Sequence, residues 1–211
     1  MLKFNYTMLV LIGIIGIGYS QTVKIGTQVW VTKNLEVSKF RNGDLIREVT
    51  TNDEWEKAGE NKQPAWCYYN NDSVNGKKFG KLYNWFAVND TRGLAPSGYH
   101  IPTDSEWTIL SDYLGGKKIA GKILKMEPIC ENEIQIGGWN GNNSIGFSGL
   151  PGGYGFYFGG FDFIGDYGYF WTSSEGSDNS AYTRLLSGEN DALARASYFK
   201  GGGLYVRCLK D

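Results

Sequence analysis

The sequence predicts an α+β protein, with short helices in its first two thirds and short strands in its last third. Two observations support this. Capping residues open helical patterns at Thr51 and Thr103. Residues 146–171 hold nine glycines and eleven aromatic residues, a composition that excludes helix and favours tight loops between strands. Helices early and strands late are typical of the α+β class.

The first elements of the chain are short. The apolar alternation within 22–37 predicts one or two strands. Thr51 and Glu54 stand three residues apart, as in a capping box, and predict a helix around Trp55 that ends by Gly59.

Three further segments lead up to the middle of the chain. Residues 65–69 predict a strand, because they are mostly apolar and aromatic and follow a proline. Residues 70–72 are Asn-Asn-Asp, whose side chains favour a turn. Residues 81–88 predict a helix that begins after Gly80.

The clearest helix signal covers residues 104–114. Thr103 and Glu106 can each satisfy a free backbone N–H of the first turn, and Asp104 adds negative charge at the positive end of the helix dipole. Four apolar or aromatic residues then recur at helical spacing and predict the buried face: Trp107, Leu110, Tyr113 and Leu114. Gly115 and Gly116 are expected to end the helix.

The rest of the chain predicts one more helix and a set of strands. The helix covers residues 119–126. The strand candidates are residues 147–150, 169–172, 181–186, 194–199 and 204–209. No Pro/Ser-rich linker and no charge block divides the chain, so residues 21–211 are expected to form a single domain.

Charge and composition narrow the functional classes. The chain has 211 residues, of which 41% are hydrophobic, and a formal net charge of −1. Lysines and arginines are scattered, so there is no basic surface to attract nucleic acid, and nucleic-acid binding is not expected.

The N-terminus predicts a signal peptide over residues 1–20. Lys3 supplies the positive charge, residues 8–18 are almost wholly apolar, and Gly18 and Ser20 are small residues suited to a cleavage site. The alternative is a membrane anchor, but the apolar run is shorter than the roughly 20 residues of a spanning helix. The mature protein is therefore expected outside the cytoplasm, secreted or associated with the cell surface.

The chain has three cysteines: Cys67, Cys130 and Cys208. Their spacing does not resemble a zinc site, and the single histidine, His100, does not complete one. In a secreted protein at most one intramolecular pair can form among three thiols. The alternative is that all three are reduced and buried.

Seven ordered blocks of the chain resemble the Fibrobacter succinogenes major paralogous domain, and together they cover essentially all of the mature sequence. In this sequence the blocks are Trp30 with Asn34-Leu35, residues 66–72, 80–85, 98–107, 146–153 and 170–174, and Val206-Arg207-Cys208. That family is in turn similar to the formylglycine-generating, sulfatase-modifying proteins. The shared pattern is Pro-Thr-x-x-Glu-Trp at 102–107, Trp-Thr-Ser at 171–173 and the closing Arg207.

The resemblance implies an irregular C-type-lectin-like fold, with short helices, a small antiparallel sheet and long Gly/aromatic loops. It does not imply the copper oxidase chemistry of the formylglycine-generating enzymes, because residues 173–206 hold no cysteine pair to bind copper. In lectin-like domains the last strand is commonly bridged to an early element. By that resemblance, Cys67 is expected to pair with Cys208, leaving Cys130 free.

The remaining catalytic patterns are weak. His100 directly precedes a helix start and is interpreted as a hydrogen-bonded structural residue rather than a general base. The chain has no nucleophile elbow and no phosphate-binding loop. No catalytic residues are therefore assigned.

Binding is the favoured function, because aromatic faces and amide groups are the chemistry that holds sugars. The predicted ligand-binding residues are Trp139, Asn142, Asn143, Tyr154 and Tyr157. The alternative is that these aromatic side chains only pack loops over the sheet. Calcium is a further possibility, because oxygen donors occur in loops at Asn140, Asn142, Asn143, Asp162, Asp166, Glu175 and Asp178. Asx turns and solvated charges explain the same residues and are favoured.

These observations predict a secreted or cell-surface, non-catalytic binding module for a glycan or an envelope protein. Two alternatives stay open. One is an enzyme of unknown type descended from the oxidase fold, and the other is a structural component of a surface assembly.

Overall fold

The computed structural model of the protein describes residues 21–128 and 138–211. The predicted signal peptide and Cys130 lie outside these residues, so both stay predictions. Within the described residues, no helix has the length and apolar character needed to cross a membrane.

The predicted helix after Thr103 is present as α4 (Asp104–Tyr113). Both halves of its capping box form: the Thr103 hydroxyl accepts from the Glu106 backbone N–H at 3.2 Å, and the Glu106 carboxylate accepts from the Thr103 N–H at 2.7 Å. Trp107 and Leu110 are fully buried, as predicted. Tyr113 is not part of the buried face, because 65% of it is exposed.

The other predicted helices are partly correct. Thr51 caps α1 (Asn52–Glu60), as expected, and α5 (Lys117–Leu124) lies two residues earlier than predicted. Helix α2 (Ser73–Phe79) was not predicted, although it begins at the predicted Asn-Asn-Asp turn, where Asp72 caps it.

The predicted helix over 81–88 is wrong in its first half. Leu82–Tyr83 is strand β5, and only Trp85–Val88 is helical, as α3 with Asn84 as its cap. The physical reason is non-local pairing, since β5 lies between β4 (Ala65–Cys67) and the backbone of Leu204.

Two small sheets form in the first part of the chain. β1 (Thr22–Ile25) and β2 (Gln28–Val31) are the predicted early strands, and they join β12 (Leu209–Lys210) and β6 (Tyr99–His100) in the order β1-β2-β12-β6. The second sheet pairs β3 (Arg47–Glu48) with β4 and β5.

The largest sheet has five strands, in the order β11-β10-β9-β7-β8. Their bounds are β7 (Gly152–Gly155), β8 (Phe161–Ile164), β9 (Tyr167–Ser177), β10 (Ser180–Ser187) and β11 (Leu193–Phe199). The predicted strands over 169–172, 181–186 and 194–199 are therefore confirmed. Residues 147–150 form no strand, and residues 204–208 make only isolated bridges. The irregular α+β class is confirmed.

The buried side chains form two clusters. In the first cluster, Trp107 packs against Trp30 with ring centroids 4.7 Å apart, and Phe147 and Phe170 complete the contact. The second cluster contains Trp66, Trp85, Trp171 and Val206.

Arg207 lies fully buried against the first cluster and joins distant parts of the chain. Its guanidinium donates to Asn34 Oδ1 at 2.7 Å and to the carbonyls of Val31, Phe147 and Ser148 at 3.1, 2.7 and 2.8 Å. Burial lowers its pKa to about 9, still above neutral pH. The closing segment is thus held to the N-terminal strands by a buried cation.

The predicted bridge between Cys67 and Cys208 is absent. Both thiols are free and buried, and they belong to different clusters: Cys67 to the first and Cys208 to the second. Burial raises the pKa of both thiols, that of Cys208 to about 12. Each is therefore a protonated, apolar core group.

His100 has the structural environment that its sequence context predicts. Its Nδ1 lies 2.7 Å from Asp211 Oδ1, and its Nε2 lies 2.9 Å from Glu106 Oε1, so the ring ties β6 and the chain end to the first turn of α4. Partial burial opposes its charging. The hydrogen bonds to the two carboxylates prevail, and the pKa of His100 is raised.

A stability difference that depends on pH is expected at this site. Because the folded pKa of His100 is raised, its stabilising contribution is complete below the unfolded value of about 6.5 and is lost as pH rises through the folded value. His100→Gln should lower the free energy of unfolding by less than about 1 kcal/mol at pH 6, since the ring is 36% exposed and screened. Urea unfolding at pH 6 and pH 9 measures this loss, which should shrink at pH 9; a loss that grows with pH contradicts the account.

Candidate binding site: an aromatic surface and an acidic groove

Nine aromatic side chains form a continuous surface around the edge of the five-stranded sheet. Four of them are 39–52% exposed: Tyr157, Phe158, Phe163 and Phe199. The set, called here the aromatic surface, consists of Tyr154, Phe156, Tyr157, Phe158, Phe163, Tyr167, Tyr169, Tyr198 and Phe199. Adjacent rings are in contact throughout, so this surface is a connected feature and not a set of isolated residues.

The loop between β7 and β8 presents two of these rings, because its backbone is fixed against α1. Gly159 and Gly160 have φ values of 84° and 85°, which favour glycine. The Gly160 N–H donates to Asn52 Oδ1 at 3.0 Å. A Cβ on Gly159 would lie 2.4 Å from the Asn52 Cβ, so only glycine permits this approach. Tyr157 and Phe158 therefore stand outward on a fixed loop.

A groove of about 300 Å³ lies beside Tyr157, between α1 and the end of β11. Its apolar side is formed by Tyr157, Phe199 and Phe86, and the Tyr157 and Phe199 rings are 4.8 Å apart. Gly59 and Gly201 also line it, with the Cα of Gly201 3.3 Å from the position of a Cβ on Gly59. Side chains at these two positions would press the walls apart.

The polar side of the groove is acidic. Glu56 and Glu60 stand one helical turn apart on α1, and Asp178 lies across from them in the β9–β10 turn. All three are exposed. Lys62 is the exposed cation of the lining, whereas Lys200 is buried and held by Glu175 and by the Asp178 carbonyl at 2.8 Å. Aromatic faces thus meet free carboxylate acceptors in one concave site.

The predicted site residues separate into two places. Trp139 is 3% exposed and packs in the first cluster, so the prediction that it offers its face to a ligand is wrong. Asn142 is exposed, and Asn143 uses its side chain to fix Ser148 at 2.8 and 3.1 Å. Both lie against α5 and do not line the groove.

The two predicted tyrosines belong to the aromatic surface. Tyr154 is 9% exposed and serves mainly as packing, so its predicted ligand contact is also wrong. Tyr157 is 44% exposed and lines the groove. Sequence reasoning missed Glu56, Glu60 and Phe199, although the i,i+4 carboxylates on a capped helix are a pattern that could have been noted.

Calcium receives no support from the placement of its predicted donors. Among residues 21–128 and 138–211, no three His, Cys, Asp or Glu side chains lie close enough to hold a metal ion. Glu175 is bound to Lys200, and Asn140 donates to Asp191 at 2.9 Å. The donors therefore serve separate local contacts.

Comparison with known proteins gives one finding. The family described as the Fibrobacter succinogenes major domain matches residues 23–210, nearly the whole chain. No curated protein and no solved structure shows significant similarity to it.

Proposed function

This chain belongs to the Fibrobacter succinogenes major domain family, and we propose that it is a secreted or cell-surface, non-catalytic binding module whose acidic groove holds a glycan. The observation that supports the proposal most is the exposure of Tyr157 and Phe199 beside the carboxylates of Glu56 and Glu60. Large exposed aromatic groups next to convergent polar groups are typical of binding sites.

The chemistry of the groove favours a neutral or amino sugar. An aromatic face packs against the C–H surface of a sugar ring, and carboxylates accept short, strong hydrogen bonds from its hydroxyl groups. Three exposed carboxylates against the single Lys62 make the groove negative, which disfavours uronic or sialic acids.

A partner protein is the second candidate, favoured by one observation. Phe163 and Ile164 are each 39% exposed on β8, away from the residues that line the groove. A surface of this kind suits a protein interface, where aromatic side chains are enriched. The lectin-like and sulfatase-modifying-like relationships of the fold are part of the same proposal and rest on the sequence blocks described above.

A screen of the purified protein against neutral, amino and acidic glycans tests the proposal. Tyr157→Ala should abolish capture of neutral or amino glycans while changing the free energy of unfolding by less than about 1 kcal/mol, as expected for an exposed position. Tyr113→Ala is the matched control, because Tyr113 is 65% exposed on α4 outside the groove. Equal capture by both variants would contradict the proposal, and unfolding of the Tyr157 variant would show that its role is packing.

A further inference from the structure

Lys125 directly follows α5 and is fully buried. Its Nζ contacts the side-chain oxygen of Asn140 and lies 2.7 Å from the carbonyl oxygens of both Ser187 and Asn190. Among the described residues, no carboxylate lies within 4 Å of this nitrogen. Burial lowers the pKa of Lys125, and nearby Asp191 offsets only part of this effect. A buried amine without a counter-ion favours the neutral, nucleophilic form.

The amide of Asn140 is fixed between this amine and a carboxylate. Asn140 Nδ2 donates to Asp191 Oδ1 at 2.9 Å. The following residues are bound to the end of α5, since the Asn142 N–H donates to the Lys122 carbonyl at 3.1 Å and the Asn143 N–H to the Lys125 carbonyl at 3.0 Å.

Gly141 allows this close approach of the two segments. A Cβ at this position would lie 2.3 Å from the carbonyl oxygens of both Lys125 and Met126. On the other side, the Trp139 ring centroid is 5.5 Å from Lys125 Nζ. The amine and the amide are therefore held together by backbone contacts and an aromatic wall, a fixed proximity that favours reaction.

We propose that Lys125 and Asn140 form an intramolecular isopeptide bond between Nζ and Cγ, with Asp191 as the proton carrier. As a neutral amine, Nζ donates its two hydrogens to the Ser187 and Asn190 carbonyls, which leaves its lone pair for the Asn140 amide. Nζ attacks Cγ and the Cγ–Nδ2 bond breaks.

The proton balance closes without a redox step or a cofactor. The Asp191 carboxylate takes one proton from Nζ, which is bonded to Cγ at this stage, and passes it to Nδ2 on the same carbon. Ammonia leaves at the exposed side of Asn140. The inference is independent of the glycan proposal, because none of these residues lines the groove.

Cyanogen bromide cleavage tests the bond directly, because Met126 lies between the two residues and the only other methionines are Met1 and Met8. The reduced, denatured protein should keep residues 9–126 and 127–211 joined after cleavage, and the intact mass should be lower than that of the sequence by one ammonia. Two separate fragments together with the full mass would overturn the proposal and identify Lys125 as a hydrogen-bonded ammonium.

Variants separate the chemistry from folding. Asn140→Ala should release two fragments, and because Asn140 is exposed, its circular dichroism should match that of the native protein. Asn142→Ala, a neighbouring exposed amide, should leave the fragments joined. Asp191→Asn should slow formation of the bond in freshly folded protein, and an unchanged rate would overturn the role of Asp191.

Discussion

Replacing Trp107 by alanine should lower the free energy of unfolding by about 3–5 kcal/mol, the range found when large core aromatic side chains are truncated. Trp107 is fully buried, and its ring contacts Trp30, Phe147 and Phe170 with centroids 4.7, 5.9 and 5.6 Å apart. Its indole N–H has no hydrogen-bond partner among the described residues, so the loss is one of packing. Urea unfolding monitored by circular dichroism measures it.

Ile109→Ala is the matched control for Trp107→Ala. Ile109 lies on the same helix and is 52% exposed, so its truncation should cost less than about 1 kcal/mol. A native-like midpoint for the Trp107 variant would contradict the assignment of this helix face to the core. Domains of this size are stable by about 5–15 kcal/mol, so the expected loss is a large share of the total.

Replacing Arg207 by methionine should cost at least about 3 kcal/mol, because four acceptors lose their donors inside the protein. The hydrogen bonds to Val31 and Asn34 join the closing segment to the N-terminal strands. Those to Phe147 and Ser148 hold the loop that packs on Trp107. Arg207→Lys should also destabilise the protein, since an ammonium cannot reproduce the fixed geometry of the guanidinium donors.

Arg47→Met provides the comparison, because Arg47 is 40% exposed and makes a surface ion pair with Glu54 at 3.3 Å. Exposed pairs contribute about 0–1 kcal/mol, so this variant should unfold close to the native protein. Equal stabilities of the Arg47 and Arg207 variants in urea would show that the buried guanidinium is not needed to hold the closing segment.

Local features were predictable from the sequence, because their physics is contained in a few neighbouring residues. The capping boxes at Thr51 and Thr103 gave the correct helix starts. The hairpin strands β9–β11 followed from apolar alternation between turns. The buried role of Trp107 followed from its position in a helical repeat.

Features set by distant pairing could not be predicted in this way. Leu82 looks helical in its local sequence but becomes a strand through pairing with Cys67. Arg207 looks like an ordinary surface residue until the N-terminal strands and the 147–148 loop surround it. The Cys67–Cys208 bridge failed for the same reason, since which cluster a strand residue faces depends on the assembled sheets.

The candidate site shows the same limit. Trp139, Tyr154 and Tyr157 have similar glycine-rich or aromatic surroundings in the sequence, yet only Tyr157 is exposed. Its exposure results from contact of its loop with Asn52, more than a hundred residues earlier. Phe199 and Glu60 join it through the packing of β11 against α1, which no local pattern encodes.

The central claim is that ligand binding occurs in the groove and not at the loop against α5. The most direct measurement is the dissociation constant of the best-binding glycan for Phe199→Ala and for Asn142→Ala, whose parent side chains are both exposed. The account predicts that affinity falls at least about tenfold for the Phe199 variant, equivalent to about 1.4 kcal/mol, and is unchanged for the Asn142 variant. Loss of affinity in the Asn142 variant with native affinity in the Phe199 variant would contradict it.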